Sequence, residues 1–266
     1  MRSATTKLLS CFLLLFAAAA PSLAKQAETG FLDRTLDISG TTYKYQVFVP
    51  DNWNARQSWP IILFLHGAGE RGEDGLTQTE VGIGTAIRLD RGRFPAIVVM
   101  PQCRKNIWWA ESPMTEVAIK SLEAATREFH GDARRTYLTG LSMGGYGTWA
   151  IAGKYPGRFA ALAPICGGVL MPEQARAQSA DDNTPYNDAA AKIGAKTPVW
   201  IFHGGADDTV PVTESRRMSE AMKALGGEVH YTEYPGVGHN SWDKAYAEPE
   251  FMSWLLSKSL GAAGQK

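Results

Sequence analysis

The sequence predicts an α/β fold in which a mostly parallel, doubly wound sheet carries helices on both faces. Continuous apolar runs of strand length recur along the chain, and strands buried on both faces of a parallel sheet have this composition. Stretches with apolar residues at helical spacing lie between these runs, which indicates helices that connect one strand to the next. Such alternation is typical of a parallel sheet covered by helices on each side.

The strand pattern begins with a hairpin and continues as single runs. Residues 35–38 and 43–49 flank Ser39-Gly40-Thr41, and a short turn of this kind between two such segments favours a hairpin. The single strands are expected at residues 60–65, 96–100, 136–141, 160–165, 198–202 and 229–234.

Helices are predicted between and after these strands, at residues 116–129, 143–155, 214–225 and 249–260. The segment from Gly167 to Thr197 has room for about one helix, given the usual length of helices in globular proteins. This leaves little space for an inserted domain, so we expect a minimal cap and a shallow, open site.

Length and charge restrict the function classes. The 266 residues suffice for one sizeable domain with a buried core. Lys+Arg 27 and Asp+Glu 27 give a formal net charge of zero, and no basic stripe suggests nucleic-acid binding. No zinc-site spacing occurs, so neither a metal nor another cofactor is expected.

The N-terminus predicts export. Arg2 and Lys7 precede an apolar run over residues 8–20, and Ser22-Leu23-Ala24 follows it. This order is typical of a secretory signal peptide. Residues 1–24 are therefore expected to be removed, and residues 25–266 to form one secreted or periplasmic domain. The run is too short to span a bilayer comfortably, so no stable membrane anchor is expected.

Two cysteines, Cys103 and Cys166, follow the predicted signal peptide. An oxidising compartment permits a disulfide between them. Two separate buried thiols are the other possibility, and the sequence leaves both open, together with the oligomeric state.

A candidate nucleophile stands in Gly140-Leu141-Ser142-Met143-Gly144-Gly145, between a predicted strand and a predicted helix. The pattern Gly-x-Ser-x-Gly at that place has a mechanical reason. A sharp strand-to-helix turn exposes the side chain at its apex, and the flanking glycines relieve the crowding. An ordinary tight turn is the other interpretation, so the hypothesis needs a base and an acid for Ser142.

The acid is expected just beyond the strand at residues 198–202, because functional groups of a parallel sheet gather at the carboxyl ends of its strands. Asp207 and Asp208 both lie there. Aspartate also favours turns and helix N-caps, and that role suits Asp208 better because a helix begins soon after it. Asp207 is therefore the candidate acid.

The base is expected after the last strand, where His239 stands in Gly238-His239-Asn240-Ser241-Trp242. The resulting chain order of serine, aspartate and histidine is that of the nucleophile-elbow hydrolases. Of the other histidines, His66 and His203 lie at strand ends, where they are expected to brace loops. His130 lies in a turn and His230 within a strand.

An oxyanion formed during attack by Ser142 needs hydrogen-bond donors. The N–H of Met143 follows the nucleophile directly. The second donor is expected from the loop His66-Gly67-Ala68-Gly69 after the first single strand, and Ala68 is the candidate.

Together these segments resemble the dienelactone hydrolase and prolyl oligopeptidase-like branch of the α/β-hydrolases, and in particular small secreted esterases without a propeller domain. The resemblance implies an α/β-hydrolase fold with Ser142 as nucleophile, Asp207 as acid and His239 as base. The segments that carry it are His66-Gly67-Ala68-Gly69-Glu70-Arg71-Gly72, Gly140-Leu141-Ser142-Met143-Gly144-Gly145-Tyr146-Gly147-Thr148-Trp149, Pro164-Ile165-Cys166-Gly167-Gly168, His203-Gly204-Gly205-Ala206-Asp207 and Gly238-His239-Asn240-Ser241-Trp242-Asp243-Lys244.

Three tryptophans are candidates for substrate contacts. Trp108 and Trp109 follow the strand at residues 96–100, and Trp242 stands beside His239. Two adjacent tryptophans cannot easily face one core, so packing beneath the loop competes with a role in the substrate site. An aromatic wall would suit an aryl or sugar ester.

Three functional hypotheses follow. The first is a secreted serine hydrolase that cleaves small-molecule or carbohydrate-linked carboxylic esters through an acyl-enzyme. The second is a serine peptidase on the same triad, which would have to protonate an amine leaving group. The third is a binding protein on a hydrolase scaffold, whose usual mark is a missing triad residue, and none is missing here.

Overall fold

The computed structural model describes residues 28–179 and 181–261. The predicted signal peptide, residues 1–24, lies outside the described residues. The described part contains one eight-stranded sheet with the order β1-β2-β4-β3-β5-β6-β7-β8. Its strands are β1 Gly30–Ile38, β2 Thr41–Val49, β3 Trp59–Leu65, β4 Ile97–Pro101, β5 Gly131–Leu141, β6 Ala161–Ile165, β7 Val199–Gly204 and β8 Val229–Tyr234.

The predicted hairpin and the predicted parallel sheet are both confirmed. Strands β1 and β2 are antiparallel and are joined at Ser39-Gly40, and β2 pairs antiparallel with β4. The pairs from β4 through β3, β5, β6 and β7 to β8 are all parallel. The carboxyl ends of these six strands therefore share one edge of the sheet.

Successive side chains of each strand contribute alternately to two hydrophobic cores, one on each face of the sheet. Along β3, Ile61 and Leu63 belong to one core, and Ile62 and Phe64 belong to the other. Because both faces are covered, the strand is apolar at every position, which is the pattern that the sequence displays.

Helices cover both faces, as the doubly wound pattern predicts. One face carries α2 Met114–Glu128, α3 Met143–Lys154, α5 Thr184–Ile193 and α6 Thr213–Ala224, and the other carries α1 Ile83–Leu89, α7 Trp242–Ala247 and α8 Phe251–Ser257. Helix α4, Pro172–Ala177, buries none of its residues. No described helix has the length and apolar composition that a membrane crossing requires.

The differences from the predicted helices have local causes. Helix α1 was not predicted, because its seven residues include Gly84 and Thr85 and make a short periodic pattern. The segment between β6 and β7 forms two short helices rather than one. Of these, α5 packs against α3 and α6, so it extends the helical layer.

Both candidate cysteines are free and buried. Cys103 follows β4 and Cys166 follows β6. Of the two possibilities left open by the sequence, the structure has separate thiols.

The glycines of α3 lead to a first testable prediction. A Cβ added to Gly144 would overlap the carbonyl oxygen of Leu65, whereas one added to Gly153 in the same helix would lie 3.4 Å from the Cβ of Lys192, an ordinary contact. Gly144→Ala should lower the free energy of unfolding by about 1–3 kcal/mol through overpacking. Gly153→Ala should leave it unchanged or raise it by up to about 1 kcal/mol. Urea denaturation measures both, and equal effects would contradict the close approach of α3 to β3.

Candidate active site

Ser142 lies at the apex of the sharp turn between β5 and α3. Its backbone has φ 52° and ψ −118°, a strained conformation for a residue with a side chain. The N–H of Ser142 donates to the carbonyl of Ile165 at 2.9 Å, which ties the turn to the end of β6. A strained apex held in this way is the geometry that the Gly-x-Ser-x-Gly pattern predicts.

The structure brings Ser142, His239 and Asp207 together in one hydrogen-bonded line. His239 Nε2 lies 2.8 Å from Ser142 Oγ, and His239 Nδ1 lies 2.7 Å from Asp207 Oδ2. The carboxylate only accepts, so the Nδ1 of a neutral ring carries the proton and Nε2 accepts from the serine hydroxyl. The arrangement can remove a proton from Ser142 and stabilise the resulting imidazolium.

Asp207, and not its neighbour Asp208, contacts the histidine. The Asp207 side chain is fully buried, and its Oδ1 accepts from the N–H groups of Thr209 and Val210, each at 2.9 Å. Burial alone would raise the pKa of Asp207, but hydrogen bonds from His203, His239 and Val210 hold that pKa far below its usual range. The carboxylate is therefore charged throughout the physiological range.

The two candidate oxyanion donors come from different segments of the chain. Met143 is the first residue of α3, where a helix N–H has no intrahelical partner. Ala68 lies in the loop after β3, and Arg71 Nε donates to its carbonyl at 2.9 Å. The role of both donors stays a prediction.

His66 orients the Gly67–Ala68 peptide, which carries the Ala68 N–H, through a hydrogen bond. Its Nδ1 lies 2.6 Å from the carbonyl oxygen of Gly67, and its Nε2 accepts from the N–H of Cys103 at 2.9 Å. Nδ1 therefore donates, and the carbonyl it holds belongs to the same peptide as the Ala68 N–H. Burial lowers the pKa of His66 to about 4, so the ring is neutral at pH 7.

The three candidate tryptophans have different surroundings. Trp108 is partly exposed and meets Tyr146 edge to face at 6.0 Å between ring centroids. Trp242 packs edge to face on His239 at 5.5 Å. Trp109 differs from the expectation, because it is fully buried and donates its Nε1–H to the carbonyl of His66. It supports the loop after β3 and does not line the site.

A cavity of about 840 Å³ opens beside the first turns of α3. Its wall contains Tyr146, four residues after Ser142, and Trp108, which contacts Tyr146 edge to face. Ser142, Asp207 and His239 do not line it, and Tyr146 links it to the turn at Ser142 through one turn of α3. Further lining comes mainly from α3, α5 and the loop after β6: Trp149, Ala150, Gly168, Val169, Pro185 and Ala189.

Glu214 holds the loop that forms one side of this cavity. The side chain is fully buried on α6, and its Oε2 accepts from the N–H groups of Val169 at 2.7 Å and Leu170 at 2.9 Å. Its Oε1 accepts from the Tyr186 hydroxyl. Both oxygens of the Glu214 carboxylate are thus hydrogen-bonded, as a buried polar group requires.

Sequence reasoning did not assign three residues to the site, although it expected His203 to brace a loop. His203 contacts Asp207, Glu214 holds the cavity loop, and the thiol of Cys166 lies within 4.8 Å of ligand atoms of Asp207 and His239. Burial raises the pKa of Cys166 to about 12, so the thiol is neutral. Only the position of His203 and Cys166 at strand ends hinted at this placement.

Comparison with known proteins agrees with the fold. Residues 116–259, just over half of the chain, match the model of the prolyl oligopeptidase family. The chain belongs to the prolyl oligopeptidase family. This confirms the resemblance to the α/β-hydrolases drawn from the sequence motifs.

Individual relatives are esterases or of unassigned function. Feruloyl esterase B of Thermothelomyces thermophilus is 26% identical over 251 residues, which cover 83% of this chain and 84% of that protein. A secreted protein of Arthroderma benhamiae, described as uncharacterized, is 25% identical over 241 residues, covering 81% of this chain but only 25% of that protein. A crystal structure of a thermostable esterase superimposes with a TM-score of 0.74 at 34% identity, covering 86% of this chain and 63% of the esterase.

These similarities place the chain among the hydrolases of the carboxylesterase type. They support the esterase hypothesis more than the peptidase hypothesis. The family match itself reaches from α2 to just beyond α8, so it contains Ser142, Asp207 and His239.

The neutral state of His66 predicts a pH dependence of stability. The pKa of His66 is about 4 in the fold against 6.5 for an unperturbed side chain, so the unfolded chain binds more protons between these values. The free energy of unfolding should therefore decrease as the pH falls from 6.5 towards 4. Urea denaturation followed by tryptophan fluorescence measures this decrease.

The matched control is His66→Asn, whose amide can still donate to Gly67 but does not titrate. Its free energy of unfolding should change less over the same pH range. Equal pH dependence in the two proteins would show that His66 is not the group responsible.

Proposed function

We propose that this chain is a serine carboxylesterase that forms an acyl-enzyme on Ser142. The observation that carries the proposal is the line from Ser142 Oγ to His239 Nε2 at 2.8 Å and from His239 Nδ1 to Asp207 Oδ2 at 2.7 Å. A serine hydroxyl needs a base within this reach to become a nucleophile. The esterases among the relatives support carboxylic esters as the substrate class.

In the acylation step, Ser142 Oγ attacks the ester carbonyl carbon while His239 Nε2 takes the hydroxyl proton. The carbonyl oxygen becomes an oxyanion, which the N–H groups of Met143 and Ala68 stabilise. The C–O bond to the alcohol then breaks, and His239 returns the proton to the departing oxygen. Asp207 remains ionised throughout and stabilises the imidazolium.

In the deacylation step, water takes the place of the alcohol. His239 removes a proton from that water, which attacks the acyl carbon and forms a second oxyanion at the same donors. Release of the Ser142 oxygen, which recovers its proton from His239, yields the carboxylic acid and the free enzyme. One ester and one water thus give one acid and one alcohol.

The cavity beside α3 is the proposed site for the non-reacting part of the substrate. Its wall contains Trp108, Tyr146 and Trp149, which suit a planar aromatic group. The relative named feruloyl esterase B supports an aromatic acyl group, carried on a small alcohol or a carbohydrate. Trp242, which packs on His239, is proposed to contact the ester near the reacting carbon.

Export is part of the proposal. Residues 1–24 are proposed to act as a signal peptide cleaved after Ala24, which leaves residues 25–266 as a single secreted or periplasmic hydrolase domain. The secreted relative supports this localisation.

Ser142→Ala should reduce hydrolysis of a p-nitrophenyl acyl ester by at least about 10³-fold, because the acyl-enzyme can no longer form. A fluorophosphonate probe should label the wild-type chain and not the variant. Ser253→Ala, at an exposed serine of α8, is the control and should keep full activity and labelling. Retained hydrolysis in the Ser142→Ala variant would contradict the proposal.

The family name makes peptidase activity the second candidate. It is tested by comparing p-nitrophenyl esters with p-nitroanilides that carry the same acyl groups. We expect hydrolysis of the esters with at most slow cleavage of the anilides. Anilide cleavage at a rate similar to that of the esters would favour the peptidase.

Trp108→Ala should raise KM for a feruloyl ester by about tenfold, because loss of one apolar contact is worth about 1–3 kcal/mol. Hydrolysis of an acetyl ester, which is too small to reach the cavity, should stay unchanged. Trp53→Ala is the control, since Trp53 packs edge to face on Phe129 away from the site. An equal loss on both esters would show that Trp108 is not a substrate contact.

A further inference from the structure

The carboxylate of Asp207 meets two imidazole rings, and the triad accounts for only one of them. Oδ2 lies 2.7 Å from His239 Nδ1 and 3.2 Å from His203 Nε2. The His203 ring is fully buried, as is the Asp207 side chain. A second histidine therefore lies against the same oxygen that the catalytic histidine uses.

The surroundings of His203 assign its proton. The Nε2 hydrogen bond is to the carbonyl oxygen of Val210 at 3.1 Å, and Asp207 Oδ2, 3.2 Å away, is a second acceptor for the same hydrogen. An unprotonated Nε2 would present its lone pair to both, so Nε2 carries the hydrogen. Nδ1 lies 2.7 Å from Ser215 Oγ, and in the neutral ring it accepts from that hydroxyl. The ring thus bridges α6 and the Asp207 loop.

We propose that His203 is a positioning residue for the catalytic acid, which holds Asp207 Oδ2 through its Nε2–H so that this oxygen receives the His239 Nδ1–H. The proposal rests on the proposed function, in which Asp207 orients His239. It extends the line of Ser142, His239 and Asp207 by His203 and Ser215, neither of which touches the substrate.

Fold geometry explains why the acid needs such a brace. Asp207 stands on the loop beyond β7, whereas His203 lies within β7 itself, so the sheet holds the ring more rigidly than the loop holds the carboxylate. Its other oxygen, Oδ1, is fixed by the N–H groups of Thr209 and Val210. With His203 in place, both oxygens have fixed donors even before His239 is counted.

His203 also affects the charge that His239 experiences. A donor on Oδ2 draws negative charge away from the contact with His239, and removing it leaves a more basic carboxylate. Titratable groups near Asp207 and His203 include the Cys166 thiol, the Tyr146 hydroxyl and the Glu233 carboxylate of β8, which is paired with Arg216. Burial raises the pKa of Cys166 to about 12 and keeps the Tyr146 hydroxyl protonated too, so neither supplies a competing charge at neutral pH.

Two substitutions separate positioning from simple packing. In His203→Gln, the side-chain amide reaches the place of Nε2 and keeps a donor for Asp207. In His203→Asn, the shorter amide reaches only the place of Nδ1, so the contact with Ser215 is kept and the donor to Asp207 is lost. Both variants replace an aromatic ring by a smaller amide, and their loss of packing is therefore similar.

The first measurement is the pH profile of kcat/KM on a p-nitrophenyl ester, together with the thermal unfolding midpoint. His203→Asn should lower kcat/KM at pH 7 by about 10- to 100-fold, the range expected for one hydrogen bond to a charged group. Its acid limb should move to higher pH. His203→Gln should retain most of the activity with an acid limb close to that of the wild type.

A second measurement does not depend on catalysis. Carboxyl ¹³C NMR of Asp207 should show a raised pKa in His203→Asn and a smaller change in His203→Gln. The proposal would be overturned if both variants lost activity only in proportion to the decrease in their unfolding midpoints, while the acid limbs of their pH profiles and the pKa of Asp207 stayed unchanged.

The two proposals can fail separately. Retained hydrolysis in Ser142→Ala would overturn the acyl-enzyme mechanism, yet the NMR titration of Asp207 would still report whether His203 holds its carboxylate. An inactive Ser142→Ala variant combined with identical behaviour of His203→Asn and His203→Gln would leave the mechanism standing and remove His203 from it. If His203→Asn does not fold, Ser215→Ala replaces it, since loss of that hydroxyl frees the ring and should move the acid limb in the same direction.

Discussion

Helix α3 approaches the ends of β3 and β6 more closely than side chains would permit, and the position of Ser142 depends on this contact. A Cβ at Gly144 would overlap the carbonyl of Leu65, and one at Gly145 would lie 2.7 Å from the carbonyl oxygen of Ile165. Because both positions are glycine, the helix can start directly above the sheet edge. The strained backbone of Ser142 is then held by its hydrogen bond to Ile165, and the surrounding packing offsets the strain.

The base and the acid reach Ser142 through a second close contact. A Cβ at Gly204, the last residue of β7, would overlap the carbonyl oxygens of Val237 and Gly238. The loop that carries His239 therefore lies directly on the end of the strand that precedes Asp207. This contact brings two loops from neighbouring parallel strands within 2.7 Å of each other at His239 Nδ1 and Asp207 Oδ2.

Three buried ionisable groups around the site show how the fold controls their charge. His66 is neutral because burial lowers its pKa, and Cys166 is neutral because burial raises its pKa. Asp207 stays charged because donors surround both of its oxygens. With these three groups neutral or paired, proton transfer is left to the pair of Ser142 and His239, as the proposed acyl transfer requires.

The sequence by itself determined the succession of strands along the chain, the helices that connect most of them, and the identity of Ser142, Asp207 and His239 as candidates. These follow from local signals, since apolar runs, helical spacing and flanking glycines each depend on a few neighbouring residues. Tertiary structure alone decided that Trp108 faces the cavity while Trp109 is buried, that Cys103 and Cys166 stay apart, and that His203 shares the carboxylate of Asp207. Each of those outcomes is a distance between segments that only the packed sheet brings together, and no local pattern encodes it.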